Sequence, residues 1–305
     1  MTDGARRLPV VQDDQRPESM PVFQRVAVIG LGMIGGSLAM AVRQAWPAAL
    51  VIGVDSNDVL ETAMRLHAID VGADDAVVAA GADLVVLAAP AGENERMLAR
   101  LPDIIAGQAV VTDVGSAKRS IVAAAASLPG RLAFVGGHPF AGAPRGGIAA
   151  ARPDLFRQRP WFLTPQSAPD DVLDRLQAFV RAVGGEPVSI SPAAHDRLLA
   201  YLSQMPQVVA SALMQVVGEA VGAEGLGYSG RGLAETTRLA GSPASAWVDV
   251  YAANADEVGA AIDALIAVLS SVRGRLDSPD AISALFGAGN EWRGQLPSGP
   301  GIHSG

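Results

Sequence analysis

The chain has 305 residues, half of them hydrophobic and 18% charged, with a net charge of −8 and no cysteine. This composition excludes a disordered polymer, disulfides, thiolate metal sites and a cysteine nucleophile. The acidic balance argues against nucleic-acid and anionic-membrane surfaces, and four histidines leave little for a histidine-built metal site, so no metal is expected.

Residues 1–22 are polar, carry three prolines and read as a disordered lead-in. No apolar run is long enough for a signal peptide or a transmembrane helix, so a soluble, cytoplasmic protein is expected. From Arg25 short apolar runs alternate with helical patterns. RVAVIG (25–30), LVIGVD (50–55), ADLVVLAAP (82–90), AVVTDVG (109–115), LAFVGG (132–137) and WFLTP (161–165) read as strands. Ser37–Trp46, Val59–His67, Asn94–Leu101 and Lys118–Ser127 between them suit helices. The alternation predicts a parallel sheet covered on both faces. A helix at Asp170–Val183 and a strand at 187–191 follow, and from Ala193 nearly everything reads as helix.

Leu198, Leu202, Met205, Val209, Leu213 and Val216 form one apolar stripe; Val258, Ile262, Leu265, Leu269 and Val272 form another. Core packing explains both stripes, and a helical homodimer interface is the further expectation. The fold class expected is α/β: a Rossmann-type dinucleotide-binding domain (23–192) followed by an all-helical substrate and dimerisation domain (193–292), with a loose tail at 293–305.

Gly30-Leu-Gly32-Met33-Ile34-Gly35 is G-x-G-x-x-G between a strand and a helix. Gly30 permits the tight turn, Gly32 lets backbone approach a pyrophosphate at the helix N-terminus, and Gly35 allows close helix–strand packing. Met33 and Ile34 belong to the same cofactor-binding turn. Asp55 ends the second strand 20 residues after Gly35, where a carboxylate accepts ribose hydroxyls and repels a 2′-phosphate. The cofactor expected is therefore NAD rather than NADP; a flavin or an empty site is the other reading. Pro90 closes a strand at the expected nicotinamide edge, or is only a strand stop.

Ser116 stands at the start of a helix after Asp113-Val-Gly115. It reads as an N-cap, as a hydroxyl facing the ligand crevice, or as both. His138, in GGHPFAG (136–142), sits where a strand delivers its last residues to the crevice, and its ordinary pKa range suits proton transfer.

IGLGMIGGS (29–37), TDVGSAK (112–118), GGHPFAG (136–142), LFRQRPWFLTP (155–165), HDRLLAYLSQMP (195–206) and GLAETTRLAGSPASAW (232–247) together resemble the prephenate/arogenate dehydrogenase family of tyrosine biosynthesis. The resemblance implies oxidative decarboxylation of prephenate, a small-molecule substrate, to 4-hydroxyphenylpyruvate. It implies His138 as base, Ser116 beside the substrate hydroxyl and cofactor, Arg238 on a substrate carboxylate, and Trp247 near the substrate.

The sequence departs from the family pattern at two places. Pro144 and Arg145 stand where the family carries an acidic residue, and Ser203-Gln204-Met205-Pro206-Gln207 replaces its S-H-L-P-H. Gln207 takes the place of a histidine that contacts the substrate side chain; it can hydrogen-bond but carries no charge. Pro206 is expected to kink its helix. Arogenate and 4-amino-4-deoxyprephenate are the alternative substrates, and a non-catalytic NAD-binding sensor is the alternative of another class. A 3-hydroxyacid dehydrogenase needs a lysine in the helical half, and this chain has none after Lys118.

Overall fold

A computed structural model describes residues 20–142, 146–166 and 168–296. Most of the lead-in and the end of the tail, and Pro144 and Arg145, lie outside the described residues. The chain runs β1 (Arg25–Ile29), α1 (Met33–Ala45), β2 (Leu50–Val54), α2 (Asn57–Arg65), β3 (Val71–Ala73), β4 (Leu84–Leu87), α3 (Ala91–Ile104), β5 (Ala109–Asp113), α4 (Arg119–Ala125), β6 (Leu132–Pro139), β7 (Pro160–Thr164), α5 (Asp170–Ala182) and β8 (Glu186–Ser189). The eight strands form one sheet in the order β3-β2-β1-β4-β5-β6-β7-β8. The order reverses between β1 and β4, the place where open α/β sheets bind ligands outside their carboxyl ends.

Both faces of the sheet are covered. Along β1, Val26 and Val28 enter one core with Leu38, Trp46 and Phe179; Ala27 and Ile29 enter the other with Val85, Val111, Leu98 and Ile121. This period of two fixes register, since a one-residue slip would exchange the faces.

Two features of the sheet differ from the sequence reading. β3 went unforeseen, because three partly exposed residues at an edge give no apolar run. β7 pairs antiparallel with β6, so the sheet is mostly and not wholly parallel. Among the described residues of 140–159 there is no α-helix, only the 3-10 turn Ile148–Ala150 and hydrogen-bonded turns over 153–158. Without a crossover helix the returning strand runs the other way.

The helical half comprises α6 (Pro192–Leu199), a π-helical turn (Ala200–Gln204), α7 (Met205–Leu226), α8 (Arg231–Thr236), α9 (Val248–Ala253), α10 (Ala255–Arg273) and α11 (Pro279–Gly294). The irregularity expected at Pro206 lies just before it, in the π turn. Pro206 itself occupies the first turn of α7, where its missing N–H costs nothing. α7 also breaks at Gly222, with φ +64°.

The core reading of the two apolar stripes needs correction. Among the described residues the helical half has one small cluster of buried residues, Ala200, Val258 and Ala261. Leu202, Leu213, Val216 and Leu269 of the two stripes stay exposed. No helix among the described residues is long and apolar enough to cross a membrane.

Candidate active site

The glycine-rich turn follows β1 directly. Gly30 has φ +96°, and a Cβ there would fall 2.5 Å from the Ala89 backbone nitrogen. A Cβ on Gly35 would strike the Gly30 carbonyl and sit 3.1 Å from Ala88 Cβ. Gly32 is different: a Cβ there would meet nothing within 4 Å. Packing does not require this glycine, so the open space beside it is room for a ligand. Gly32 caps α1, whose first residues, Met33, Ile34 and Gly35, have N–H groups without intrahelical acceptors.

Asp55 follows β2. Its Oδ2 accepts the Leu31 N–H at 2.7 Å and its Oδ1 the Ser56 N–H at 2.7 Å. The carboxylate thus fixes the glycine turn while keeping lone pairs for ribose hydroxyls. These features fit a dinucleotide: an open backbone cradle, a helix N-terminus for its pyrophosphate and a carboxylate for its ribose.

Pro90 is the residue before α3, so this helix begins earlier than the sequence reading placed it. Buried Asn94 shapes the turn, accepting from the Ala89 N–H at 3.1 Å and donating to the Ala89 carbonyl at 2.9 Å.

His138 lies near the end of β6, 6% exposed, with the Phe140 and Phe162 rings beside it. Its Nδ1 is 2.9 Å from Nε2 of His195, and Nδ1 of His195 is 2.8 Å from Oδ1 of Asp196. Burial, then His195, then Lys118 push the His138 imidazole well below its ordinary value, so it is neutral near pH 7. Local sequence places the partners: Ser191 Oγ accepts the Ala194 N–H at 3.2 Å and Pro192 opens α6, which sets His195 and Asp196 in its first turns.

Asp196 is fully buried and reaches across to the sheet-bearing half. Its Oδ1 accepts the Lys118 N–H at 2.7 Å, and its Oδ2 accepts the Arg119 N–H at 2.9 Å and Arg119 Nε at 3.2 Å. Burial raises its pKa, but the hydrogen bonds from His195, Arg119 and Lys118 outweigh that and hold it below the ordinary value. Asp196 is therefore the cap of α4. The cap expected from Ser116 is not made; Ser116 sits half-buried in the turn before the helix.

Lys118, the chain's single lysine, is buried and paired with Asp113 and donates to the Gly137 carbonyl at 2.7 Å. It braces the strand that carries His138.

Gln207 is 4% exposed; its Nε2 donates to the Leu239 carbonyl at 2.8 Å and its Oε1 accepts from Ser242 Oγ at 3.4 Å. It ties α7 to the 3-10 turn Arg238–Gly241. Arg238 is exposed and pairs with no carboxylate among the described residues. Trp247 is half-buried against Tyr251, rings 5.8 Å apart. Tyr251 donates to the Gln204 carbonyl at 2.9 Å, and Asn254 Nδ2 bonds both Gln204 Oε1 (2.7 Å) and the Asp196 carbonyl (2.8 Å). A hydrogen-bonded path thus runs from His138 through His195, Asp196 and Asn254 to Gln204, one helical turn before Gln207.

Sequence reasoning singled out His138 and the glycines but gave no role to His195, Asp196, Asp113, Asn94 or Asn254. The signal for two of them was present, a His-Asp pair in the first turns of a capped helix. Among the described residues no cluster of three or more His, Asp or Glu could hold a metal.

A doubly wound sheet with a fitted dinucleotide cradle, a neutral buried histidine at a strand end and a helical second half define a nicotinamide-dependent dehydrogenase. Two family models match, "Prephenate dehydrogenase, nucleotide-binding domain" over residues 38–189 and "Prephenate dehydrogenase, dimerization domain" over 191–283. Prephenate dehydrogenase of Bacillus subtilis is 31% identical over 281 residues, covering 89% of this chain and 76% of that protein. Cyclohexadienyl dehydrogenase of Zymomonas mobilis is 31% identical over 271 residues, covering 86% and 91%. The crystal structure of prephenate dehydrogenase from Aquifex aeolicus in complex with hydroxyphenyl propionate and NAD+ superposes with a TM-score of 0.81 at 27% identity, covering 88% and 97%. The chain belongs to the prephenate dehydrogenase family and is an NAD-dependent oxidoreductase.

Proposed function

We propose that the chain oxidatively decarboxylates prephenate to 4-hydroxyphenylpyruvate in the cytoplasm, with His138 as the base. The observation that carries this reading is a neutral His138, buried at the carboxyl end of β6, with Nε2 bonded to no described protein group. Gly30, Gly32, Met33, Ile34, Gly35, Asp55 and Pro90 would hold NAD, which supplies the hydride acceptor when bound. His138 Nε2 takes the proton of the ring hydroxyl as it becomes a carbonyl. The ring carboxylate then leaves as carbon dioxide, and its bonding electrons complete the aromatic ring as a phenolate, which takes back a proton to give the product hydroxyl.

Arg238, which pairs with no carboxylate among the described residues, offers its planar fork to a substrate carboxylate, and Ser116 and Trp247 complete the pocket. Gln207 keeps one N–H after bonding Leu239, enough for the side-chain ketone of prephenate. Residues 139–153 contain no Asp or Glu to receive the ammonium of arogenate. Arg152 adds less repulsion than its charge suggests, because Asp154 lies 3.7 Å from it.

The exposed apolar residues of α7 and α10 support a homodimer through the helical half. The test is NADH production with prephenate, arogenate and 4-amino-4-deoxyprephenate compared side by side. Prephenate is expected to give the highest kcat/KM; a higher value with arogenate overturns the substrate assignment.

A further inference from the structure

We propose that His195 and Asp196 form a positioning relay that fixes the tautomer of His138 and steadies the charge it acquires in the reaction. The proposal rests on the reading of His138 as base.

The chemistry of the three groups sets the direction of each hydrogen bond. Asp196 is ionised and accepts two backbone N–H groups, so it can only accept from His195 Nδ1. The tautomer of His195 that donates from Nδ1 to Asp196 has a bare Nε2. That lone pair accepts the His138 Nδ1–H across 2.9 Å. His138 must then carry its proton on Nδ1 and leave Nε2 free as the basic nitrogen. The opposite tautomer would set two N–H groups or two lone pairs against each other in a buried contact.

When Nε2 takes the hydroxyl proton, the O–H bond breaks, an N–H bond forms, and the imidazole pair gains one positive charge. Asp196 supplies the compensating negative charge through His195. The charged and titratable groups facing this pair are Asp196 from α6, Lys118 from the turn before α4 and Asp113 from the end of β5; Arg119 and Asp256 lie behind Asp196. Burial, His195 and Lys118 disfavour a cation on His138, and Asp196 is the anion in line with it.

The relay spans the two halves of the molecule. His138 and the Lys118 and Arg119 amides belong to the sheet-bearing half, and His195 and Asp196 to the helical half. The base is correctly protonated only when the halves are docked.

The test combines histidine 15N NMR with kcat/KM pH profiles for wild type, His195→Gln, His195→Phe and His138→Asn. Four histidines in the chain make assignment by substitution practical. His138 is expected as the neutral Nδ1–H tautomer in the wild type; an Nε2–H tautomer overturns the relay without any variant. Gln retains a carbonyl acceptor for His138 Nδ1–H, so His195→Gln is expected to keep that tautomer and lose no more than about tenfold in kcat. His195→Phe removes the acceptor and is expected to lose about 100-fold or more, within the range for loss of a correctly placed base, with NAD affinity unchanged. Wild-type kcat, pH profile and His138 tautomer in His195→Phe would overturn the relay. Retained turnover in His138→Asn would instead overturn the base assignment, and the tautomer measurement still judges the relay by itself.

Discussion

Arg119, the first residue of α4, grips Asp256, the second residue of α10, with two guanidinium nitrogens, while its Nε holds Asp196. One side chain thus ties the sheet-bearing half to two helices of the other half. The hydrogen bond from Arg119 holds the Asp256 carboxyl at about 2, and the paired carboxylates hold the Arg119 guanidinium above its ordinary value.

This pair predicts an acid-sensitive seam. A carboxyl whose folded pKa is depressed stabilises the fold above its unfolded pKa, about 4, and loses that contribution as pH falls towards its folded value. The lost stabilisation therefore lies between about pH 4 and pH 2, and it is modest because Asp256 is exposed. Thermal melts from pH 5 to pH 2.5 are expected to fall more steeply for the wild type than for Asp256→Asn. Parallel slopes would show that the pair does not hold the seam.

Gly30 and Gly32 are expected to respond oppositely to alanine. Gly30→Ala places a Cβ at φ +96° against the Ala88–Ala89 backbone and is expected to destabilise by about 1–3 kcal/mol or more. Gly32→Ala meets no neighbour, so stability is expected to move by less than about 1 kcal/mol, while NAD affinity drops because the methyl occupies the cradle. Calorimetric unfolding and NAD titration separate the two. Unchanged NAD affinity in Gly32→Ala would remove the cradle from this turn.

Asp55 is expected to favour NAD over NADP by tenfold or more in kcat/KM, about 1.4 kcal/mol. Asp55→Asn keeps an acceptor oxygen for only one of the Leu31 and Ser56 amides and removes the charge that repels a 2′-phosphate. Its NADP efficiency is expected to rise relative to NAD. A wild type that prefers NADP would free Asp55 from the ribose.

Arg238→Gln is expected to raise KM by about tenfold or more, because the substrate carboxylate loses a charge-assisted, forked partner. Arg238→Lys restores charge but not the fork and is expected to recover only part of the loss. Because Arg238 pairs with no described carboxylate, neither variant is expected to lower the melting temperature appreciably. An unaltered KM in Arg238→Gln would leave this arginine without a substrate role.

The exposed Val216 and Leu269 predict assembly. Light scattering is expected to give twice the 31.2 kDa chain mass for the wild type and a shift towards monomer for Val216→Asp or Leu269→Asp. A monomeric wild type would leave the apolar face without its proposed partner.

The sheet was legible because β1, β2, β4 and β5 are short, continuous apolar runs bounded by Gly, Asp or Pro, and the G-x-G-x-x-G turn announces its own place. β3 was not, since three residues at an edge carry no pattern. The π turn was hidden because hydrophobic spacing through Leu198, Leu202 and Met205 matches an ordinary helix. The relay was the hardest part to read. His138 and His195 are 57 positions apart, and their meeting depends on how the two halves dock, which local propensity does not encode. Ser116 suited the cap position, yet the carboxylate of Asp196, 77 residues beyond Arg119, serves α4 instead.

Asp196 spends its two oxygens on different tasks, one shared by His195 and the Lys118 amide, the other on Arg119. Folding and turnover therefore draw on the same carboxylate. Elsewhere in an enzyme, stabilising and activating substitutions can be explored separately and combined. At Asp196 no such separation exists, so neither trait can be adjusted there without disturbing the other, and any successful redesign of this seam has to replace the helix cap and the His195 partner in one step.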